Sequence, residues 1–239
     1  MTYCVAMALK DGLVFAADSR TNAGVDQIAT YRKLHKFTVD GERVIILLSA
    51  GNLATTQSVI SLLKMRLGSD QPNLFGVQSL YEAATVVGNT SREVVRRDSG
   101  QSQGKVDFGC SFIVGGQVHG EPPRLFLVYP EGNFIECTPD TPYFQIGETK
   151  YGKPILDRVI DYDLPLEQAA KCALISLDST IRSNLSVGLP LDVLLYDRNS
   201  FCTARQFDIT EDNVYFRALG EAWSVGLRQA FSELPEMDW

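Results

Sequence analysis

The chain of 239 residues has only two histidines, His35 and His119, and neither sits in a pattern that activates a nucleophile or spaces metal ligands. A surface or hydrogen-bonded structural role is the expectation for both. The five cysteines, at 4, 110, 137, 172 and 202, are odd in number and form no C-x-x-C pair, which suits neither a disulfide framework nor a zinc site and points to a reducing compartment. No apolar run approaches the roughly 18 residues of a membrane span, and Lys10-Asp11-Gly12 interrupts the start of the chain without a basic leader. A cytoplasmic location without membrane contact is therefore expected. Basic residues do not cluster beyond Arg96-Arg97, and 22 Lys and Arg against 29 Asp and Glu leave a formal charge of −7. That excludes the cationic footprint of a nucleic-acid binder. No motif calls for a cofactor or a metal, and none is expected.

What is present is ordinary for a globular protein: 45% apolar and 21% charged residues, enough to bury a substantial core. Tyr3 to Leu9 and Leu13 to Asp18 read as a hairpin across Lys10-Asp11-Gly12, and Lys33 to Thr38 with Arg43 to Ser49 as a second, separated from the first by a less regular stretch. The period then changes. Leu53 to Leu67, closed by Gly68, and Ser79 to Arg97 suit helices. Beyond a polar loop over 99–109, Cys110 to Gly115, Arg124 to Tyr129 and Asn133 to Cys137 alternate as strands. Helices are predicted over Tyr151 to Asp161 and Leu166 to Asn184, a strand pair over Leu191 to Tyr196 and Phe201 to Ile209, and a last helix over Leu219 to Leu234. Hairpins outnumber β-α-β crossovers, so the α+β class is expected, as two antiparallel sheets with helices on their outer faces. With no repeat or linker, residues 1–239 read as one domain.

Two motifs mimic chemistry that their surroundings do not support. Gly147 to Lys153 satisfies G-x-x-x-x-G-K, but Pro154 follows where a phosphate loop needs Ser or Thr for Mg²⁺, and no parallel sheet presents the loop. Ser61-Leu62-Leu63-Lys64 resembles a Ser-x-x-Lys nucleophile, yet it lies in an amphipathic helix without the partner motifs.

The first residues offer a different route. Thr2 is small, and a small second residue permits removal of the initiator Met1. Its hydroxyl and a free α-amine would then belong to one residue, and an amine titrating near about 7.7–8.0 can serve as base for its own hydroxyl without any histidine. A small second residue is common, so the surroundings decide. Asp18 ends the apolar run Leu13 to Ala17, Lys33 follows Arg32 at the start of a strand, and Ser49-Ala50-Gly51 closes another.

This ordered set resembles the proteasome β-subunit family of N-terminal-nucleophile hydrolases, above all its bacterial Anbu branch, the ancestral β-subunit, whose members begin Thr-Tyr-Cys-Val-Ala-Met and contain Asp-Ser-Arg-Thr-Asn-Ala-Gly. Both strings stand here, at residues 2–7 and 18–24, and the likeness runs to about Tyr196. It implies a four-layer αββα sandwich and a catalytic group of Thr2, Asp18, Lys33, Gly51 and Ser186. Lys33 would place its charge beside the amine and hydroxyl, Asp18 would hold Lys33, and the Gly51 N–H would face the oxyanion. The resemblance also implies a homo-oligomeric ring or ring-like coil and a peptide or amide substrate. It leaves room for an ATP-dependent partner that no motif identifies.

Two stretches depart from the family pattern. Gly147-Glu148-Thr149 stands in place of a Gly-Ser-Gly turn, and Arg182-Ser183-Asn184-Leu185-Ser186-Val187-Gly188 in place of Arg-Asp-x-x-Ser-Gly. Glu148 and Ser183 are accordingly candidate accessory residues. Two readings follow: a self-assembling threonine-type peptidase or amide hydrolase, and a proteasome-like scaffold whose active site has decayed.

Overall fold

Strands with both faces covered explain why the longest apolar runs lack a polar face. In β1 (Tyr3–Leu9), Tyr3, Val5, Met7 and Leu9 join a core with helices, whereas Cys4 and Ala6 join a core between two sheets. The computed structural model describes residues 1–22, 28–100 and 106–238. The sequence positions 23 and 24 of the family string, the middle of the loop over 99–109 and Trp239 lie outside the described residues.

β1 pairs with β2 (Gly12–Asp18), and a short hairpin follows from β3 (Arg20–Asn22) and β4 (Ile28–Thr30). β5 (Leu34–Val39) and β6 (Arg43–Gly51) lead into α1 (Leu53–Met65) and α2 (Leu80–Ser99). Then come β7 (Cys110–Val118), β8 (Arg124–Val128), β9 (Phe134–Glu136) and β10 (Tyr143–Gly147). The chain closes with α3 (Lys153–Val159), α4 (Leu166–Ser183), β11 (Leu191–Asp197), β12 (Arg205–Ile209) and α5 (Val214–Ser232). One antiparallel sheet has the order β10-β1-β2-β11-β12 and the other β5-β6-β7-β8-β9. Phe15, Leu48, Ile113 and Leu194 fill the space between them. Residues of α3, α4 and α5 cover the first sheet, and those of α1 and α2 the second. This is the expected α+β sandwich of four layers.

The departures are local. Residues 143–147, to which the sequence pattern assigns no element, form the edge strand β10, which registers Tyr3 opposite Gly147. Phe201 to Ala204 do not extend β12, because the chain turns through Asn199 at φ 63° and Phe201 at φ 47°. The helix after Tyr151 starts only at Lys153, since Gly152 and Pro154 define its first turn. α5 begins five residues before the expected Leu219, because the Asn213 side chain accepts from the Phe216 N–H and caps it there.

Candidate active site

Six chain segments bring their ends to one edge of the sandwich. Thr2 precedes β1, Asp18 ends β2, Lys33 precedes β5, Gly51 ends β6, Gly147 ends β10, and Gly188 lies three residues before β11. Register, and not proximity in sequence, sets this convergence. Tyr3 lies opposite Gly147, Asp18 opposite Leu191 and Gly51 opposite Cys110.

Asp18 is fully buried. Its Oδ1 accepts from Lys33 Nζ at 2.6 Å and from the Tyr3 N–H at 2.9 Å, and its Oδ2 faces the Gly188 N–H at 3.4 Å. Burial pushes its carboxyl above the usual carboxylate range, opposed first by the Lys33 ammonium. Lys33 is 5% exposed and donates a second bond to Arg20 O at 2.8 Å, so it is not a surface lysine. The α-amine of the chain, here on Met1, is held below its ordinary value by burial and then by Lys33, with Asp18 and Glu148 acting the other way.

Glycine is required at two of these ends. Gly51 has φ +112°, and a Cβ there would stand 2.5 Å from Gly109 O, so the strand end passes the neighbouring backbone too closely for a side chain. Gly147 has φ +84°, and a Cβ there would come within 1.9 Å of Thr2 O. That close approach lets the next N–H, of Glu148, donate to Thr2 O at 2.7 Å. The Gly-Glu-Thr turn therefore grips the residue proposed as nucleophile.

Glu148 is buried and accepts from Asn184 Nδ2 at 3.0 Å, while Asn184 Oδ1 accepts from the Ser186 N–H at 2.9 Å. Ser186 is half-buried in the loop whose Gly188 faces Asp18. Ser183 is exposed on the last residue of α4, and among the described residues its side chain makes no hydrogen bond to this group.

A cleft of about 510 Å³ opens beside Thr2 and Lys33, walled by Arg32, His35, Ser49, Gly51, Gln57 and Ile60. Ser61 of the Ser-x-x-Lys mimic also lines it, from an exposed position on α1. His35 is thus a wall of the cleft rather than a surface residue. Burial, and secondarily Lys64, lower its pKa to about 4. An unfolded histidine titrates near about 6.5, so the fold favours neutral His35, a stabilisation present above that value and lost as the pH falls through it toward 4. His35→Gln is accordingly expected to lose less melting temperature than wild type between about pH 7 and pH 4, compared by calorimetry.

The sequence patterns do not single out three further groups. Arg20 lends its carbonyl to Lys33, and its guanidinium lies so close to Gly188 that a Cβ there would stand 2.3 Å from it. Asn184 links Glu148 to the Ser186 loop. Asp192 is 1% exposed and accepts from Ser19 Oγ at 3.0 Å and from Arg32, which also grips Asp208 at 2.8 and 3.0 Å. An acid inside the apolar strand Leu191 to Tyr196 is the signal that could have found this last group.

The G-x-x-x-x-G-K mimic is dismantled by the same geometry. Gly147 belongs to the antiparallel edge strand, and Lys153 Nζ pairs with Asp157 at 2.8 Å and Tyr143 at 3.1 Å.

Two five-stranded antiparallel sheets stacked between helices are the four-layer N-terminal-nucleophile hydrolase architecture of proteasome subunits. The family model "Proteasome subunit" matches residues 2–193, and the chain belongs to that family. It is 60% identical, over the full length of both chains and with a TM-score of 0.94, to the solved structure of Anbu (ancestral beta-subunit) from Yersinia bercovieri. Likewise it is 57% identical to the chain of the helical assembly of the Anbu complex from Pseudomonas aeruginosa, covering 99% of this chain and 98% of that one at a TM-score of 0.95. Proteasome subunit beta 2 of Pyrobaculum aerophilum is 26% identical over 196 residues, which is 82% of this chain and 88% of the relative.

Proposed function

We propose that the protein is a threonine-type peptidase or amide hydrolase that acts through Thr2 once Met1 is removed. The observation that carries this reading is the buried Lys33–Asp18 pair at 2.6 Å, seated against the Tyr3 N–H at the start of β1. A buried ion pair is a costly way to hold a fold together, and its placement against the first strand gives it a chemical use. In the proposed reaction the Thr2 hydroxyl attacks the substrate carbonyl carbon while its proton passes to the α-amine. Lys33 favours the free amine and the forming alkoxide, and the Gly51 N–H receives the oxyanion. The C–N bond then breaks, the protonated amine gives its proton to the leaving nitrogen, and water releases the ester by the reverse sequence of transfers. Asp18 fixes Lys33, and Ser186 lies in the loop that Asn184 and Gly188 hold against the site. Intact mass followed by a threonine-directed electrophile tests this directly. Loss of Met1 and one adduct on Thr2 is the expected result, and a protein without Met1 that takes no adduct overturns it.

The same reading makes the protein a homo-oligomer that encloses its nucleophiles. The apolar faces of α1 and α4 are buried in the chain's own core, at Val59 and Leu63 and at Ala173 and Leu177. α5 differs: Val225, Leu227 and Phe231 are 56, 51 and 77% exposed, and Leu234 just beyond it 60%. Together they leave an apolar arm for another copy to cover. Sedimentation at micromolar concentration is expected to show a large assembly for wild type and a shift toward monomer for the double variant Leu227→Asp and Phe231→Asp. A wild type that sediments as monomer removes enclosure from the proposal.

A further inference from the structure

Two aspartates stand directly opposite each other on neighbouring strands, Asp192 of β11 and Asp208 of β12. Like charges so placed repel, and Asp192 adds the cost of burial, set between the buried Leu191 and Val193. The Arg32 guanidinium offsets both. It donates to Asp192 Oδ1 and reaches the two carboxylate oxygens of Asp208 at 2.8 and 3.0 Å. The other oxygen of Asp192 accepts from Ser19 Oγ at 3.0 Å. One buried carboxylate therefore holds both the residue that follows Asp18 and the residue that precedes Lys33.

Those two holds frame an ion pair that crosses from one sheet to the other. Asp18 ends β2, in the same sheet as β11 and β12, whereas Lys33 lies in the link from β4 and leads into β5 of the second sheet. The 2.6 Å contact between them thus depends on how the two sheets sit at this edge. Backbone bonds set the course of the link: the Tyr31 N–H donates to Ser19 O at 2.8 Å, and the Ser49 N–H donates to Lys33 O at 3.1 Å. Between these anchors, the Arg32 side chain ties the link to β11 and β12. Packing the sheets together needs no such group, because Phe15, Leu48, Ile113 and Leu194 already fill the space between them.

We propose that Asp192 is a positioning residue for the Lys33–Asp18 pair: by gripping Ser19 and Arg32 it sets the spacing between the sheet that carries Asp18 and the strand that Lys33 enters. The inference rests on the N-terminal-nucleophile reading for its chemical purpose. Lys33 serves Thr2 only from one place, and a displacement of about 1 Å can cost about a hundredfold in rate. Asp192 touches no reacting atom and acts through one neighbour of each partner. Arg32 itself walls the cleft, so a change there can alter binding as well as rate, whereas a change at Asp192, outside the cleft lining, should alter rate alone.

Adduct kinetics separate these quantities. The full-length protein, freed of Met1, is reacted with a threonine-directed electrophile at a series of concentrations, and intact mass gives the rate at saturation and the half-saturating concentration. Asp192→Ala is expected to lower the saturating rate about thirtyfold and to keep half-saturation within about twofold of wild type. The double variant with Arg32→Ala should fall within about threefold of the worse single one, since both remove the same latch. Leu195→Ala supplies the control for stability: this buried side chain of β11 belongs to the core under the helices, so its loss should lower the melting temperature and spare the saturating rate. A folded Asp192→Ala that labels at the wild-type saturating rate overturns the proposal, and so does an equal rate loss in Leu195→Ala. If Asp192→Ala does not fold, an unchanged saturating rate in Arg32→Ala overturns it instead. A wild type without Met1 that takes no adduct refutes the threonine reading and this inference with it, a result distinct from a labelled wild type that Asp192→Ala matches.

Discussion

Thr2→Ala is expected to abolish covalent labelling by a threonine-directed electrophile and to reduce amide hydrolysis by at least about a thousandfold, to the level of the uncatalysed site. The contacts the structure gives Thr2 explain why this loss would be chemical. Its carbonyl accepts the Glu148 N–H and packs against Gly147, and alanine keeps both. Melting temperature should therefore stay close to wild type while turnover disappears. Cys4→Ala supplies the control. The Cys4 thiol is fully buried, its pKa pushed up by that burial, and it faces Ser49 O at 3.7 Å. It lacks both a terminal amine and access to the cleft, so its removal should spare activity. Equal hydrolysis by wild type and Thr2→Ala on a responsive substrate would refute the mechanism.

Sequence periodicity reaches the fold more readily than it reaches the site. Strands such as Leu13 to Ala17 and Val44 to Leu48 are continuous apolar runs bounded by turns, and the structure buries both of their faces. Short elements with weaker patterns escape: β10 has five residues alternating in burial after Pro142, and β3 and β4 have three residues each. Among the site residues, Asp18, Lys33 and Gly51 are legible because each closes or opens a recognisable strand. Their meeting is legible only through the family resemblance, since the register between Tyr3 and Gly147, or between Asp18 and Leu191, is a long-range property of pairing. Arg20 serves Lys33 through a backbone carbonyl, which no residue type announces. Asn184 acts through a side-chain amide whose partner lies 36 positions away.

Asp18 and Lys33 are expected to fail as one unit, and the double-variant cycle carries the second large effect. Asp18→Ala leaves the Lys33 ammonium 5% exposed with Arg20 O as its remaining bonded partner among the described residues, a buried charge whose isolation costs about 3–5 kcal/mol. Lys33→Ala is milder for the fold, because Asp18 keeps the Tyr3 and Gly188 N–H groups and its carboxyl is already pushed toward the neutral form by burial. For chemistry the order changes little: without Asp18 the ammonium has no fixed place, and without Lys33 the amine and the alkoxide lose their nearby cation. Each single variant should lose at least about a hundredfold in kcat/KM, and the double variant should fall within about threefold of the worse single one. Stability should show coupling of the same sign and larger, with the double variant melting above Asp18→Ala because the stranded ammonium is gone. Denaturation and turnover measured on the same four proteins test both halves. Activity losses that multiply would give Asp18 and Lys33 independent roles. A double variant no more stable than Asp18→Ala would show that Lys33 finds another buried partner.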